Sequence, residues 1–346
     1  MCAKSHINGL SPVLIIMKQS TLKELSEALG ISISTVSRAL KDHPDISEAT
    51  KTKVKELATA LEYEPNSFAV NLRTKQTNVI GILVPSIDNF FYDTFIAAVE
   101  EEARRHGYSV LIMQSRDQLD IETSCLHLFR KKMVSALFAS ISIEIEDMKP
   151  FEKLKENGIP VIFFDRVPEA EGYHKVCLSD EKAAVIAAGE IIKAGKKKVL
   201  ALFGHPHLSI TKTRCAAFKK TFSEQAPSVS LDIHYPEQIS SSRELVLSLL
   251  GSGEKYDVIF GMGDLILIGV MQAIHELNLR VPEDISVISI SNGLIPTMYK
   301  PRITYVETSG AKLGKLAFSQ MLDYLQQQTI AETVFLESML VKGGSL

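Results

Sequence analysis

From Asn78 onward the chain alternates short, continuously apolar runs with amphipathic stretches, and no other feature limits its fold so tightly. The runs are residues 79–85, 109–113, 136–139, 160–165, 199–204, 258–261 and 286–290. Between them lie helical patterns such as 95–105, 182–193, 265–277 and 312–325. A strand that is apolar on both faces needs cover on both faces, and parallel strands need long crossovers. The alternation therefore predicts an α/β fold of parallel sheets clothed in helices. It continues to the end of a 346-residue chain, too long for a single sheet. Two doubly wound lobes are expected, with a ligand cleft outside the carboxyl ends of their strands.

The stretch before Asn78 follows a different rhythm. Thr21-Leu22-Lys23-Glu24 reads as a capping box, and Leu22, Leu25, Ala28 and Leu29 then share one helical face. Gly30 stops that helix by accepting a left-handed turn. Ser32 caps a second helix carrying Val36, Ala39 and Leu40. Ser47 caps a third, with Val54, Leu57, Ala58 and Leu61 on one face. Three short capped helices with a tight glycine turn between the first two form a helix-turn-helix unit. Pro65 closes it, and residues 66–77 form a polar linker that contains no acidic residue. Alone in water so short a helix is marginal, because nucleation is costly.

Composition excludes several classes. The formal net charge is -3, so a nucleic-acid surface has to be a local patch. The four cysteines, Cys2, Cys125, Cys177 and Cys215, form no C-x-x-C pair, which rules out a disulfide scaffold and fits a reducing compartment. No apolar run reaches the roughly 20 residues of a membrane helix. Residues 1–17 hold Val13-Leu14-Ile15-Ile16-Met17 behind Lys4 without an A-x-A-like site. That makes a poor secretory signal and reads as a disordered leader, with Met17 available as a start. His205-Pro206-His207 lacks further ligands at metal spacing. Gly261-Met262-Gly263 begins a dinucleotide fingerprint, but Ile266 stands at its third glycine. With no G-x-S-x-G, Walker or H-E-x-x-H motif, neither an enzyme nor a metal or cofactor is expected.

Several ordered motifs carry a resemblance. Thr21-Leu22-Lys23-Glu24-Leu25, Ser34-Thr35-Val36-Ser37-Arg38-Ala39-Leu40, Ser47-Glu48-Ala49-Thr50 and Tyr63-Glu64-Pro65-Asn66 are similar to the DNA-binding head of the lactose-repressor/galactose-repressor family. The similarity continues through Ile80-Gly81-Ile82-Leu83-Val84-Pro85, Asn89 to Tyr92, Gly158-Ile159-Pro160-Val161 with Asp165-Arg166, and Val281-Pro282-Glu283-Asp284-Ile285-Ser286-Val287. It covers about residues 20–342. It implies a cytoplasmic, homodimeric transcription regulator with a near-palindromic operator and a core like periplasmic sugar-binding proteins. On that basis residues 1–17 are a leader, 18–65 a helix-turn-helix domain, 66–77 a hinge and 78–346 the effector-binding core. Lobe 1 is expected over 78–178 plus 306–328 and lobe 2 over 179–305 plus 329–346, with crossings near Leu178, Tyr305 and Thr329.

The second helix should enter the major groove. Ile33, Ser34 and Arg38 are candidates for base edges, since arginine pairs with guanine O6 and N7. Thr21, Ser32, Thr35, Ser37 and Lys41 are candidates for phosphates; as caps and solvated surface, these hydroxyls also have an ordinary structural reading. The resemblance implies a linker that folds on DNA, adding Asn66, Ala69, Leu72 and Arg73, with Leu72 wedged into a minor-groove base step. It also matches Asp264 and Arg214 to the ligand-hydroxyl contacts, and Phe91 and Tyr92 to the first-lobe aromatic loop. Arg166 and Asn292 end strands that face the same cleft.

The chain departs from the family at Gly263, where asparagine is usual, at Ser291-Asn292, where an aspartate pair is usual, at Glu307 for glutamine and at Phe90 for proline. Surface or interlobe structure is the alternative role for each cleft residue. A sugar-like effector is the expected ligand. A transport receptor sharing the two-lobe core, and a regulator answering to a protein partner, are the competing readings.

Overall fold

The computed structural model describes residues 20–63, 77–143, 147–327 and 333–346. The chain divides into two compact units, residues 1–75 and 76–346.

The first unit contains α1 (Leu22–Leu29), α2 (Ile33–Leu40) and α3 (Glu48–Ala60). Thr21 and Glu24 close the capping box, and Gly30 ends α1 in the left-handed region at φ +64°. Ser32 and Ser47 cap the next two helices by accepting from the backbone N–H groups of Thr35 and Thr50. Leu25, Val36, Ala39, Val54 and Ala58 form the core. Leu61, expected on the buried face of α3, is 41% exposed, because the helix ends at Ala60 and the chain turns away there.

The second unit holds two six-stranded sheets. The first sheet is built from β1 (Val79–Val84), β2 (Ser109–Gln114), β3 (Ala136–Ala139), β4 (Val161–Phe164), β5 (His174–Leu178) and β11 (Thr333–Leu336). Its order is β11-β5-β4-β3-β1-β2, parallel throughout. The second has β6 (Lys198–Leu202), β7 (Ser230–His234), β8 (Val258–Gly261), β9 (Ser286–Ser291), β10 (Thr304–Glu307) and β12 (Met339–Val341). Its order is β12-β10-β9-β8-β6-β7, with only β12 antiparallel to its neighbour.

Helices α4 (Phe90–Arg105), α5 (Leu119–Lys132), α6 (Lys149–Glu156) and α12 (Gly310–Gln327) belong to the first lobe. Helices α7 (Asp180–Lys193), α8 (Ser209–Gln225), α9 (Ile239–Gly251), α10 (Asp264–Glu276) and the short α11 (Leu294–Thr297) belong to the second. Central strands β3 and β8 are buried at every residue, as their apolar runs require, and β9 is equally buried although Ser286, Ser289 and Ser291 interrupt its valine and isoleucines.

The chain passes between the lobes three times: at Ser179, at Thr308–Ser309 and at Glu337–Ser338. The second and third crossings correct the sequence boundaries. Thr304–Glu307 pairs with β9 and stays wholly in the second sheet. Thr333–Leu336 pairs with β5 and returns to the first sheet before the chain leaves for β12. The strand is a half-exposed edge of four residues whose apolar run, Val334-Phe335-Leu336, is only three residues long.

Packing between α9 and α10 depends on Gly269, where a Cβ would lie 2.3 Å from the Ile239 carbonyl oxygen and 2.7 Å from Ser242 Cβ. Gly269→Ala is expected to destabilise the core by about 1–3 kcal/mol through overpacking. Gly189→Ala, in open space within α7, is expected to stabilise it by about 0.5–1 kcal/mol. Urea unfolding of both variants checks the pair, and a neutral Gly269→Ala overturns the close-approach argument.

Candidate functional site

On the first unit, α2 buries Val36 and Ala39 and turns its remaining faces outward. Ser32, Ile33, Ser34, Arg38 and Lys41 are exposed, and Thr35 and Ser37 are half-buried. Ile33, the first helical residue, is 47% exposed, so an aliphatic group is free to meet a thymine methyl. Ser32 Oγ accepts from the Thr35 N–H at 3.1 Å and lies 3.0 Å and 2.8 Å from Ser34 Oγ and Thr35 Oγ1. Three hydroxyls thus gather at the amino end of α2, where the helix dipole favours an anion. Arg38 approaches Asp45 only to 4.0 Å, with both side chains largely exposed, a pair that contributes little and leaves the guanidinium available. Exposed Thr21 caps α1 through its Oγ1, which accepts from the Glu24 N–H at 3.2 Å. The candidate hinge contacts Asn66, Ala69, Leu72 and Arg73, and the leader 1–17, lie outside the described residues.

Within the core, the carboxyl ends of the strands from both sheets line a cleft of about 1220 Å³. All six candidate ligand residues, Phe91, Tyr92, Arg166, Arg214, Asp264 and Asn292, lie on its wall. Asp264 opens α10 just past β8. Its Oδ1 accepts from Ser291 Oγ and its Oδ2 from the Asn292 N–H at 3.0 Å. Burial raises its carboxyl above the ordinary aspartate range, opposed by these two donors.

Arg214 is buried on α8. Its Nε and a terminal nitrogen reach Asp180 Oδ1 at 2.7 Å and 2.6 Å, and the other terminal nitrogen donates to the Met262 carbonyl at 2.9 Å. Arg166 donates to Asp117 Oδ1 at 2.5 Å. Each guanidinium therefore already has a carboxylate. Tyr92, 3% exposed, donates to Asp165 Oδ2 at 2.6 Å and lies 3.0 Å from Ser140 Oγ. Burial pushes its phenol well above the usual range and the Asp165 charge adds to that, so Tyr92 stays a neutral donor. Its ring meets Phe91 and Phe164 edge-on.

Asn292 differs from the sequence reading. Its Nδ2 donates to the Phe90 carbonyl at 2.7 Å and to Thr94 Oγ1 at 3.0 Å, and its Oδ1 accepts from the Gly310 N–H at 2.8 Å. The carboxamide is directed at the first lobe, not at the open cleft. The other departures also have places: Gly263 caps α10 with an extended backbone, Glu307 accepts from Lys312 Nζ, and Phe90 packs on the core of the second lobe. The sequence reading missed Asp117 and Asp180 as partners of the arginines. Asp180 opens α7 after β5, a strand the apolar pattern does not announce, and Asp117 lies in a loop, so neither carried a sequence signal.

Among the described residues no group of three or more His, Cys, Asp or Glu side chains is arranged to hold a metal, and no helix is long and apolar enough to cross a membrane.

Residues 21–66 match the model for bacterial regulatory proteins of the lacI family, and residues 188–346 match the periplasmic binding protein-like domain. Catabolite control protein A of Priestia megaterium is 26% identical over 318 residues, covering 91% of this chain and 95% of that protein. The HTH-type transcriptional regulator RegA of Clostridium saccharobutylicum is 25% identical over 332 residues, covering 94% and 99%. A lac repressor dimer bound to operator and an anti-inducer superposes with a TM-score of 0.85 at 23% identity, covering 95% of this chain and 99% of that one. A lacI-family regulator from Enterococcus faecium with bound ribose gives 0.70 at 21% identity, covering 77% and 98%. At these identities the structural likeness establishes the fold. By name, the Clostridium relative is a transcriptional regulator and the Priestia relative a control protein.

The Asp264 carboxyl provides a pH test. A fold that disfavours the ionised acid loses stability as pH rises from the ordinary aspartate value through the raised one. Asp264→Asn is therefore expected to melt above the wild type at pH 7, with the gap closing as pH falls below about 4. A variant that melts lower at pH 7 would show instead that the carboxylate stabilises the fold.

Proposed function

We propose that this chain, whose residues 21–66 match the lacI-family model, is a cytoplasmic, non-catalytic regulator of transcription whose hold on duplex DNA is set by a small neutral ligand in the core cleft. The observation that carries this is the pairing, in one chain, of an outward-facing α2 with a cleft built from strand ends. A transport receptor has use for the cleft but none for the head.

In the DNA complex, α2 lies in the major groove with Ile33, Ser34 and Arg38 at base edges, while the surrounding hydroxyls and Lys41 meet phosphates. Two copies bind a near-palindromic operator, their half-sites about 34–36 Å apart. Residues 66–77 fold between them, and Leu72 enters the minor groove.

The cleft residues define the ligand. Arg214 and Arg166 are neutralised by Asp180 and Asp117, so an anionic ligand would have to compete with carboxylates already in place. Asp264 and Asp165 offer acceptors for hydroxyl pairs, and Phe91 offers a ring face for a C–H surface. That combination suits a neutral sugar better than a sugar phosphate. Binding draws the lobes together about the three crossings, and the shift in their separation is the signal to the DNA-binding head. The sugar-bound relative from Enterococcus faecium supports a hydroxylated ligand.

Selection of duplexes from a random pool tests the head, and thermal shift with neutral and phosphorylated sugars tests the cleft. Arg38→Ala should cost about 1–3 kcal/mol at one base pair and relax preference there. Lys41→Ala should weaken all duplexes alike and lower the salt slope by about 0.9. A neutral sugar at 100-fold over its dissociation constant should stabilise the protein by about 2.7 kcal/mol, and Asp264→Ala should abolish that gain without weakening DNA binding. Stabilisation by phosphorylated sugars alone would overturn the neutral-ligand reading, and an absence of any selected duplex would overturn the regulator.

A further inference from the structure

Asn292 stands between the candidate ligand carboxylate and the first lobe. Its backbone N–H donates to Asp264 Oδ2 at 3.0 Å, so it is bound to the ligand side of the cleft. Its carboxamide reaches across to three groups of the first lobe. They are the Phe90 carbonyl at 2.7 Å, Thr94 Oγ1 at 3.0 Å and the Gly310 N–H at 2.8 Å. Phe90 and Thr94 lie in the first turns of α4, and Gly310 opens α12 next to the second crossing.

These two helices behave as one body. A Cβ on Gly310 would lie 2.3 Å from the Phe91 carbonyl oxygen, and one on Gly314 would lie 2.8 Å from that of Phe95. The backbones are in direct contact, so a pull on either helix start is carried by both.

We propose that Asn292 is the interlobe strut of this protein, a positioning residue that couples the state of Asp264 to the α4–α12 pair, and not a ligand contact. The proposal rests on the cleft being the ligand site. A carboxamide is the chemistry the place demands. Phe90 O and Thr94 Oγ1 accept from its amide nitrogen, while the Gly310 N–H and, at 3.3 Å, the Thr94 hydroxyl donate to its oxygen. Aspartate, nearly the same in shape, keeps the Gly310 bond, loses both donations and sets a negative charge against a carbonyl oxygen. A ligand that draws on Asp264 moves the segment Ser291–Asn292, and the strut passes that movement to the first lobe.

The test uses the full-length protein without ligand or DNA. In Asn292→Asp, amide exchange is expected to rise at least tenfold at residues 90–95 and 310–314, while the centres of both sheets keep wild-type protection. The radius of gyration from solution scattering is expected to increase. Asn292→Ala and Thr94→Val should loosen the same two segments to a lesser degree, and Thr94→Ser, which retains the hydroxyl, should match the wild type. Unchanged exchange in those segments overturns the strut, as does a uniform loss of protection through both lobes, which would mark a merely structural role. Neither result depends on whether DNA or a sugar binds. Failure of the strut is thereby separate from failure of the regulator reading.

Discussion

Parallel pairing is the constraint from which the core follows. A parallel strand cannot return by a hairpin, so each crossover passes through a helix on one face of the sheet. The carboxyl ends of the strands then all emerge on one side, and the loops that leave them are the polar parts of an otherwise apolar unit. With two such sheets in one chain, the loops after β1, β3 and β4 share a cleft with those after β6, β8 and β9. Asp165, Met262 and Ser291 come from distant parts of the sequence, and each reaches the cleft because it ends or follows a strand.

The electrostatics of the cleft follow from the same placement. Charged side chains that line the cleft are partly or wholly buried, and an unpaired buried charge is costly. Arg214 and Arg166 each meet a carboxylate, and the Tyr92 hydroxyl donates a hydrogen bond to Asp165. Asp264 has no salt-bridge partner among the described residues; a hydroxyl and a backbone N–H satisfy it instead. A carboxylate satisfied by neutral donors keeps acceptor capacity for further hydroxyl groups, which replace water without demanding a countercharge.

Much of this was legible in the sequence. The seven apolar runs are strands, and the capping residues Thr21, Ser32 and Ser47 start helices, because both signals are local. Of the strands that escaped notice, β7, β11 and β12 are sheet edges where half-exposure dilutes the apolar pattern, while β5 and β10 are buried but interrupted by polar residues such as His174, Lys175 and Thr304. The third crossing was misplaced for that reason, since only pairing with β5 shows that residues 333–336 return to the first lobe. The cleft residues were found through resemblance to a family motif, and a motif places a residue without fixing the direction of its side chain. Asn292 occupies the expected wall, yet its carboxamide is engaged by Phe90, Thr94 and Gly310, partners far away in sequence.

The pair Ser291–Asn292 also shows how a departure from a family pattern can be self-consistent. Two aspartates after β9 would set like charges beside Asp264, and three clustered carboxylates in a partly buried cleft hold one another protonated or repel. Serine removes one of those charges and donates to Asp264. Asparagine removes the other and gains the donors that reach the first lobe. The two substitutions thus act together: the first spares Asp264 an adjacent charge beyond that of Asp93, and the second connects that acid to the helices across the cleft. A change at either position alone would leave Asp264 facing a like charge or cut it off from the first lobe, so the two residues are best understood as one unit of the site.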